Sequence, residues 1–93
     1  MRLNEAERQA IVQAVRSADP GAVVYLFGSR VDDTAKGGDI DLLVLSRKID
    51  LMTKLAILGR LHHLLGEQRI DLAVFPDLAQ PFARLAAQEG RLL

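Results

Sequence analysis

Three short apolar runs within 93 residues constrain the fold of this chain more than any other feature. They are "AVVYLF" at 22–27, "DIDLLVLS" at 39–46 and "RIDLAVF" at 69–75. Each is rich in the β-branched, aromatic or aliphatic residues that favour strands. Because segments with helical periodicity alternate with these runs, the chain is predicted to form a small α/β fold with helices packed against a sheet.

Three helices are predicted, at 4–18, 51–65 and 81–89. Asn4 and Glu7 have the spacing of a capping box at the start of the first helix. Asp50 can cap the second helix and Gly66 can close it, while Pro81 suits the first turn of the third. The full order is therefore α-β-β-α-β-α, with a glycine-bounded connection between the first two strands.

The second predicted helix carries leucines at helical spacing, and we expect this stripe to pack into the core. Its members are Leu51, Leu55, Leu58, Leu61, Leu64 and Leu65. His62 and His63 lie on the same helix, but adjacent helical residues point in different directions, so they make a poor metal clamp.

The composition excludes several classes of protein. The length predicts one domain over residues 1–93. Basic and acidic residues number 12 each, so binding of nucleic acid by bulk charge is not expected. The chain has no cysteine, which excludes disulfides and thiolate metal sites, and only four aromatic residues, which argues against base-stacking platforms.

No apolar run reaches membrane-spanning length and the N-terminus is too charged for a secretory signal, so the cytoplasm is the expected location.

Acidic residues lie near the start of two of the predicted strands. Asp39 and Asp41 are two residues apart and point to the same face of one strand, and Asp71 holds the corresponding place in "RIDLAVF". Either these carboxylates lie at exposed strand ends as turn or cap residues, or a cation lies between them, since converging like charges need a counter-charge. Mg²⁺ prefers oxygen ligands, and proteins typically hold it through a few carboxylates together with the phosphates of a substrate.

Gly28 and Ser29 follow the first strand directly. Glycine lets the backbone approach a ligand closely, and a serine that begins a helical turn can offer its hydroxyl and nearby N–H groups to a phosphate. A glycine-serine pair is also common in ordinary turns. Its significance here is that nine residues separate it from Asp39, enough to bring the second strand beside the first.

Gly28-Ser29, nine residues and then Asp39-Ile40-Asp41 resemble the motif of the polymerase-beta-like nucleotidyltransferase superfamily. The single-domain length resembles its minimal nucleotidyltransferases, a class often paired with a helical HEPN partner as the MntA-type antitoxin. The resemblance implies the fold of that superfamily, a small mixed sheet with helices packed against it.

The resemblance also implies a role for each residue. Gly28 and Ser29 would hold the triphosphate of a nucleotide, expected to be ATP. Asp39, Asp41 and Asp71 would be the catalytic residues and the ligands of two Mg²⁺ ions, with Asp71 helping to activate the attacking hydroxyl. The sequence departs from the usual pattern in having Gly38 before the first aspartate, and its loop carries acidic and basic residues of undecided role, Arg30, Asp32, Asp33 and Lys36.

Two functions follow from the resemblance. The first is an enzyme, a Mg²⁺-dependent nucleotidyltransferase that moves AMP from ATP to a hydroxyl, such as a tyrosine of a HEPN-type toxin. The second is a non-catalytic antitoxin that acts by contact with a helical partner. Because the acidic strand face also carries apolar residues such as Leu43 and Phe75, we expect a second chain to cover it, either that partner or another copy.

Overall fold

A computed structural model of the protein describes residues 3–27, 40–66 and 69–93. The described part contains three helices and three strands in the order predicted, with a fourth strand at the C-terminal end. In chain order they are α1 (Glu5–Ala18), β1 (Val23–Phe27), β2 (Ile40–Leu45), α2 (Leu51–Leu65), β3 (Ile70–Phe75), α3 (Pro81–Glu89) and β4 (Arg91–Leu92).

The helix ends form as the sequence predicted. The Asn4 side chain accepts a hydrogen bond from the Glu7 N–H at 2.8 Å, and the Glu7 carboxylate accepts one from the Asn4 N–H at 3.1 Å. Asp50 caps α2 by accepting from the Thr53 N–H at 2.8 Å. Gly66, with φ of 80°, ends the helix in the left-handed region that glycine enters without a steric penalty.

The four strands form one mixed sheet in the order β3-β2-β1-β4. β1 is antiparallel to β2 and to β4, whereas β2 and β3 are parallel and are joined through α2. β2 lies in the interior of the sheet, and its central residues Leu42, Leu43 and Val44 are completely buried. This interior position explains why "IDLLVL" is an almost continuous apolar run instead of an alternating one.

Helices cover both faces of the sheet. α1 and α2 pack on one face, where Ile11, Val15, Ile57 and Leu61 meet alternate residues of the strands in the main core. α3 packs on the other face, where Ala83 and Ala86 cover Leu43. The second face is the one that carries Asp41, so α3 of the same chain supplies part of the cover that we had expected from a second chain. Leu45, Ala73 and Phe75 remain only partly buried.

The prediction that the α2 leucines all enter the core is wrong for three of them. Leu61 is buried, and Leu58 and Leu65 pack partly against the core, but Leu51, Leu55 and Leu64 are at least half exposed. Ile57, which lies outside the leucine stripe, turns toward the sheet in their place. The buried side of α2 is therefore narrower than its leucine content indicates.

The apolar C-terminal residues form a fourth strand, which the sequence did not predict. Leu92 pairs with Tyr25 and Arg91 with Leu26, and the Leu93 N–H donates to the Val24 carbonyl at 2.8 Å. The tail thus covers the β1 edge of the sheet, and among the described residues β3 is the strand at the opposite edge.

Candidate active site

Asp41 and Asp71 are direct neighbours across the parallel pair of strands β2 and β3. Directly paired residues on adjacent strands have their backbones about 4.8 Å apart and their side chains on the same face. The corresponding places of Asp41 and Asp71 in their two sequence runs are therefore matched by direct pairing in the sheet. Phe27, at the end of β1, pairs with Asp41 from the other side, so the three residues form one row across the sheet.

The position of this row explains how two carboxylates are tolerated side by side. The next rows along the same face contain Leu43 and Ala73, then Leu45 and Phe75, and these pack toward α3. Asp41 is only partly buried and Asp71 is exposed, because their row lies at the end of the sheet beyond this apolar cluster. Water can therefore solvate the carboxylates when no cation is bound.

Arg69 provides a basic group beside Asp71. Its Nε lies 3.7 Å from the Asp71 Oδ1, and both side chains are exposed. This distance is too long for a hydrogen bond, and an exposed ion pair of this kind contributes little to stability. Arg69 therefore moderates the charge of the acidic pair without enclosing it.

A cavity of about 450 Å³ opens beside the two carboxylates. Its volume lies within the range of small-molecule binding sites. Four successive β3 residues, 70–73, line it, and since successive strand residues point to opposite faces, the cavity reaches both sides of β3. The other lining residues are Phe27, Asp41, Lys54, Leu58 and Phe82.

Lys54 and Phe82 also line this cavity, although no sequence pattern singled them out. Lys54 lies on α2 and is partly buried, and Phe82 lies in the first turn of α3. Both are distant from Asp41 in sequence, and a lysine or phenylalanine on an amphipathic helix is a common residue. Only the packing of α2 and α3 on opposite faces of the sheet brings them to the same edge.

Gly28, Ser29 and Asp39 lie outside the described residues, and so do Arg30, Asp32, Asp33, Lys36 and Gly38. Their predicted roles remain predictions. Two described residues adjoin them in the chain. Phe27, which precedes Gly28, is paired with Asp41, and Ile40, which follows Asp39, is completely buried in β2.

The donor atoms at Asp41 and Asp71 fit a hard divalent cation. Two carboxylates from adjacent strands, open to water on one side, match the way in which proteins hold Mg²⁺ through one or two carboxylates and substrate phosphates. Within residues 3–27, 40–66 and 69–93, no cluster of three or more acidic, histidine or cysteine side chains could hold a metal. A third protein ligand would therefore come from outside these ranges, and Asp39 is the residue predicted for that place.

The described chain is thus a four-stranded mixed sheet with helices on both faces and an acidic pair at one end of two strands. The family model described as "Polymerase beta, Nucleotidyltransferase" matches residues 9–93, and the chain belongs to this family. None of the curated proteins matches the sequence. No helix in the described ranges has both the length and the apolar character needed to cross a membrane.

One solved structure similar to this chain is described as the toxin-antitoxin MntA-HpeT mutant D39E D41E. The superposition has a TM-score of 0.68 and covers 97% of this chain and 71% of the other, at 21% sequence identity. At that identity the similarity establishes the fold, which is the one the sequence analysis predicted.

Proposed function

We propose that this chain is a Mg²⁺-dependent nucleotidyltransferase that transfers AMP from ATP to a hydroxyl group of a protein partner, in the manner of an antitoxin. The observation that carries the proposal is the direct pairing of Asp41 and Asp71 beside an open cavity. Membership of the nucleotidyltransferase family supports the reaction class. Three parts of the proposal remain predictions: that the transferred group is AMP, that a hydroxyl accepts it, and that the protein acts in the cytoplasm.

The residues of the proposed site divide metal binding, phosphate binding and proton transfer among them. Asp41 and Asp71, with Asp39, would hold Mg²⁺, which when bound neutralises negative charge on the attacking and leaving oxygens. Gly28 and Ser29 would contact the triphosphate and hold it in line for attack. The acceptor oxygen bonds to the α-phosphorus, the bond from that phosphorus to the bridging oxygen breaks, and pyrophosphate leaves. Asp71 would draw the proton from the attacking hydroxyl and pass it to water.

The surface of α2 supports a protein partner. Leu51, Met52 and Leu55, which we call the α2 patch, form an exposed apolar surface, with Leu51 67% and Met52 73% exposed. Exposed apolar patches on small proteins commonly mark interaction sites. The similar solved structure, a toxin-antitoxin pair, supports a helical HEPN-type toxin in this role.

Transfer of label from ATP tests the proposal. The chain is incubated with α-labelled ATP, Mg²⁺ and the HEPN-type partner, and labelled protein is counted. Asp41→Asn and Asp71→Asn should each reduce the rate about 100-fold or more, because charge stabilisation by a metal contributes several kcal/mol. Asp77→Asn is the matched control, since Asp77 follows the opposite end of β3 and pairs with Arg47 at 2.7 Å.

The α2 patch also favours a second candidate function, inhibition of the partner by contact alone. In that case no label would move, and the wild type, Asp41→Asn and Asp71→Asn would all inhibit the partner equally. Mass analysis of the partner separates the two functions, since only the enzyme leaves an added nucleotide on it.

A further inference from the structure

All four aromatic residues of the chain lie on the α3 side of the sheet. Tyr25, Phe27 and Phe75 come from the strands, and Phe82 comes from α3. Four aromatic residues are too few for an extended stacking platform, which is why base stacking was not expected from the composition. The rings are nevertheless gathered on the face of the sheet that carries the two carboxylates.

Phe82 is held in place but only half covered. Its ring centroid lies 5.7 Å from that of Phe27, at an interplanar angle of 80°, and 5.7 Å from that of Phe75, at 36°. Such contacts are typical of favourable aromatic pairs. Even so, 48% of Phe82 is exposed. The ring is therefore oriented by its neighbours while part of its surface remains available.

The available part of Phe82 borders the cavity that contains the acidic pair. Phe82, Asp41 and Asp71 all line the same cavity, so one molecule can contact the ring and the carboxylates together. A nucleoside triphosphate has this combination of an anionic end, which needs a cation, and a flat apolar end, which needs a ring. The remaining described lining is mostly aliphatic and includes Leu58, Leu72 and Ala73.

We propose that the ring of Phe82 stacks against the base of the nucleotide. This inference rests on the proposed function, since it assigns the base-binding part of the same site. Stacking on a phenyl ring depends on the area of the base more than on its hydrogen-bonding groups. ATP and GTP should therefore bind with similar affinity, and both should bind more tightly than CTP or UTP.

Binding of Mg²⁺-ATP and of Mg²⁺-tripolyphosphate, measured by calorimetry, tests the proposal. Phe82→Leu should weaken ATP about 5- to 150-fold, the range for loss of one base–aromatic contact, and should leave tripolyphosphate unchanged. Leu85→Ala is the matched control, because Leu85 is 53% exposed on the same helix but does not line the cavity. It should leave both ligands unchanged, and circular dichroism should show that all variants fold.

A fluorescent variant gives a second measurement. The chain contains no tryptophan, so Phe82→Trp introduces a single reporter at the proposed contact. Its emission should change with ATP and GTP but not with tripolyphosphate. The larger ring should also bind ATP at least as tightly as the wild type.

The outcomes separate this proposal from the proposed function. If the wild type binds ATP and Phe82→Leu binds it equally well, the stacking is wrong and the nucleotidyltransferase site stands. If Phe82→Leu loses ATP and tripolyphosphate to the same degree, Phe82 supports the structure and does not contact the base. If the wild type binds neither ligand, both proposals fail. Equal loss of ATP binding in Leu85→Ala would also overturn the stacking, because it would indicate a general effect of α3.

Discussion

Asp19 and Ser46 are the two buried polar residues of the described core, and they bind each other. The Ser46 hydroxyl donates to the Asp19 carboxylate at 2.6 Å, and the Gly21 N–H donates to the same carboxylate at 3.0 Å. The Ser46 hydroxyl also accepts from the Lys48 and Ile49 N–H groups. These bonds tie the end of α1 to the segment that leads from β2 into α2. The hydrogen bond from Ser46 lowers the pKa of Asp19, and the bond from Gly21 adds to the effect.

Asp19→Asn should destabilise the fold in a pH-dependent way. Because the folded state lowers the pKa of Asp19, the carboxylate contributes its stability above the unfolded pKa of about 3.9 and loses it as the pH falls through the folded pKa. The gap in unfolding free energy between wild type and variant should therefore be largest above about pH 5 and narrow below pH 4. Urea unfolding from pH 7 to pH 2.5 measures it. A gap that stays constant over this range would contradict the assignment.

Some features of the candidate site could be predicted from the sequence and others could not. The shared face of Asp41 and Asp71 was predictable because each lies near the start of a strand-like run, and strand periodicity fixes the face on which a side chain lies. Phe82 and Lys54 were not, because their place beside the carboxylates depends on how two helices pack on a sheet. Periodicity gives the inner side of a helix, but it does not give the strand that the helix will meet.

Gly90 joins α3 to β4 in a space with no room for a side chain. A Cβ at this position would lie 2.6 Å from the carbonyl oxygens of Ala86 and Leu26. Both obstacles are backbone atoms, so neither can move aside without disturbing α3 or β1. The glycine therefore lets the chain end α3 and return at once along β1.

Gly90→Ala should destabilise the protein by about 3 kcal/mol, the upper part of the range for overpacking, because the steric conflict is with backbone atoms. Gly59→Ala is the matched control. Gly59 lies on the exposed side of α2, and a Cβ added there would meet nothing within 4 Å. Because alanine has a higher helix propensity than glycine, this change should stabilise the protein by about 0.5–1 kcal/mol. Thermal and urea unfolding of both variants measure the effects. A neutral Gly90→Ala would show that β4 docks without this close approach.

The elements themselves were largely predictable, and the exceptions have physical reasons. Caps and turn residues fixed the ends of α1, α2 and α3 because their hydrogen-bonding or conformational preferences act locally. β4 was missed because a two-residue strand has no periodicity of its own and forms only where β1 offers a free edge. The burial of the α2 leucines was predicted wrongly for three of them, because helical spacing alone does not distinguish a stripe that packs into the core from one that faces solvent.

At the scale of the whole molecule, α2 combines an apolar exposed surface with an uneven charge. The helix contains Lys54, Arg60, His62 and His63 and no acidic residue, although the chain as a whole has no net charge. Two copies of this helix packed face to face would bring like charges together. A partner surface that is apolar in its centre and acidic at its rim would match both the α2 patch and its surroundings, so charge complementarity favours a different protein over a second copy.

Replacement of Met52 and Leu55 by lysine tests this assignment. The double variant Met52→Lys/Leu55→Lys should fold with a stability within about 0.5 kcal/mol per substitution of the wild type, since both side chains are exposed. It should bind Mg²⁺-ATP normally, because neither residue lines the cavity, but should no longer co-purify with the proposed HEPN-type partner.

Reversal of a charge near the α2 patch tests the electrostatic part of the assignment. Arg60→Glu, on the exposed side of α2, should weaken the same complex and reduce its sensitivity to salt. Leu92→Lys, an equally exposed change on β4, should leave it intact. A wild type that dimerises through α2 and ignores the partner, as judged by sedimentation, would replace the acidic partner with a second copy of the chain.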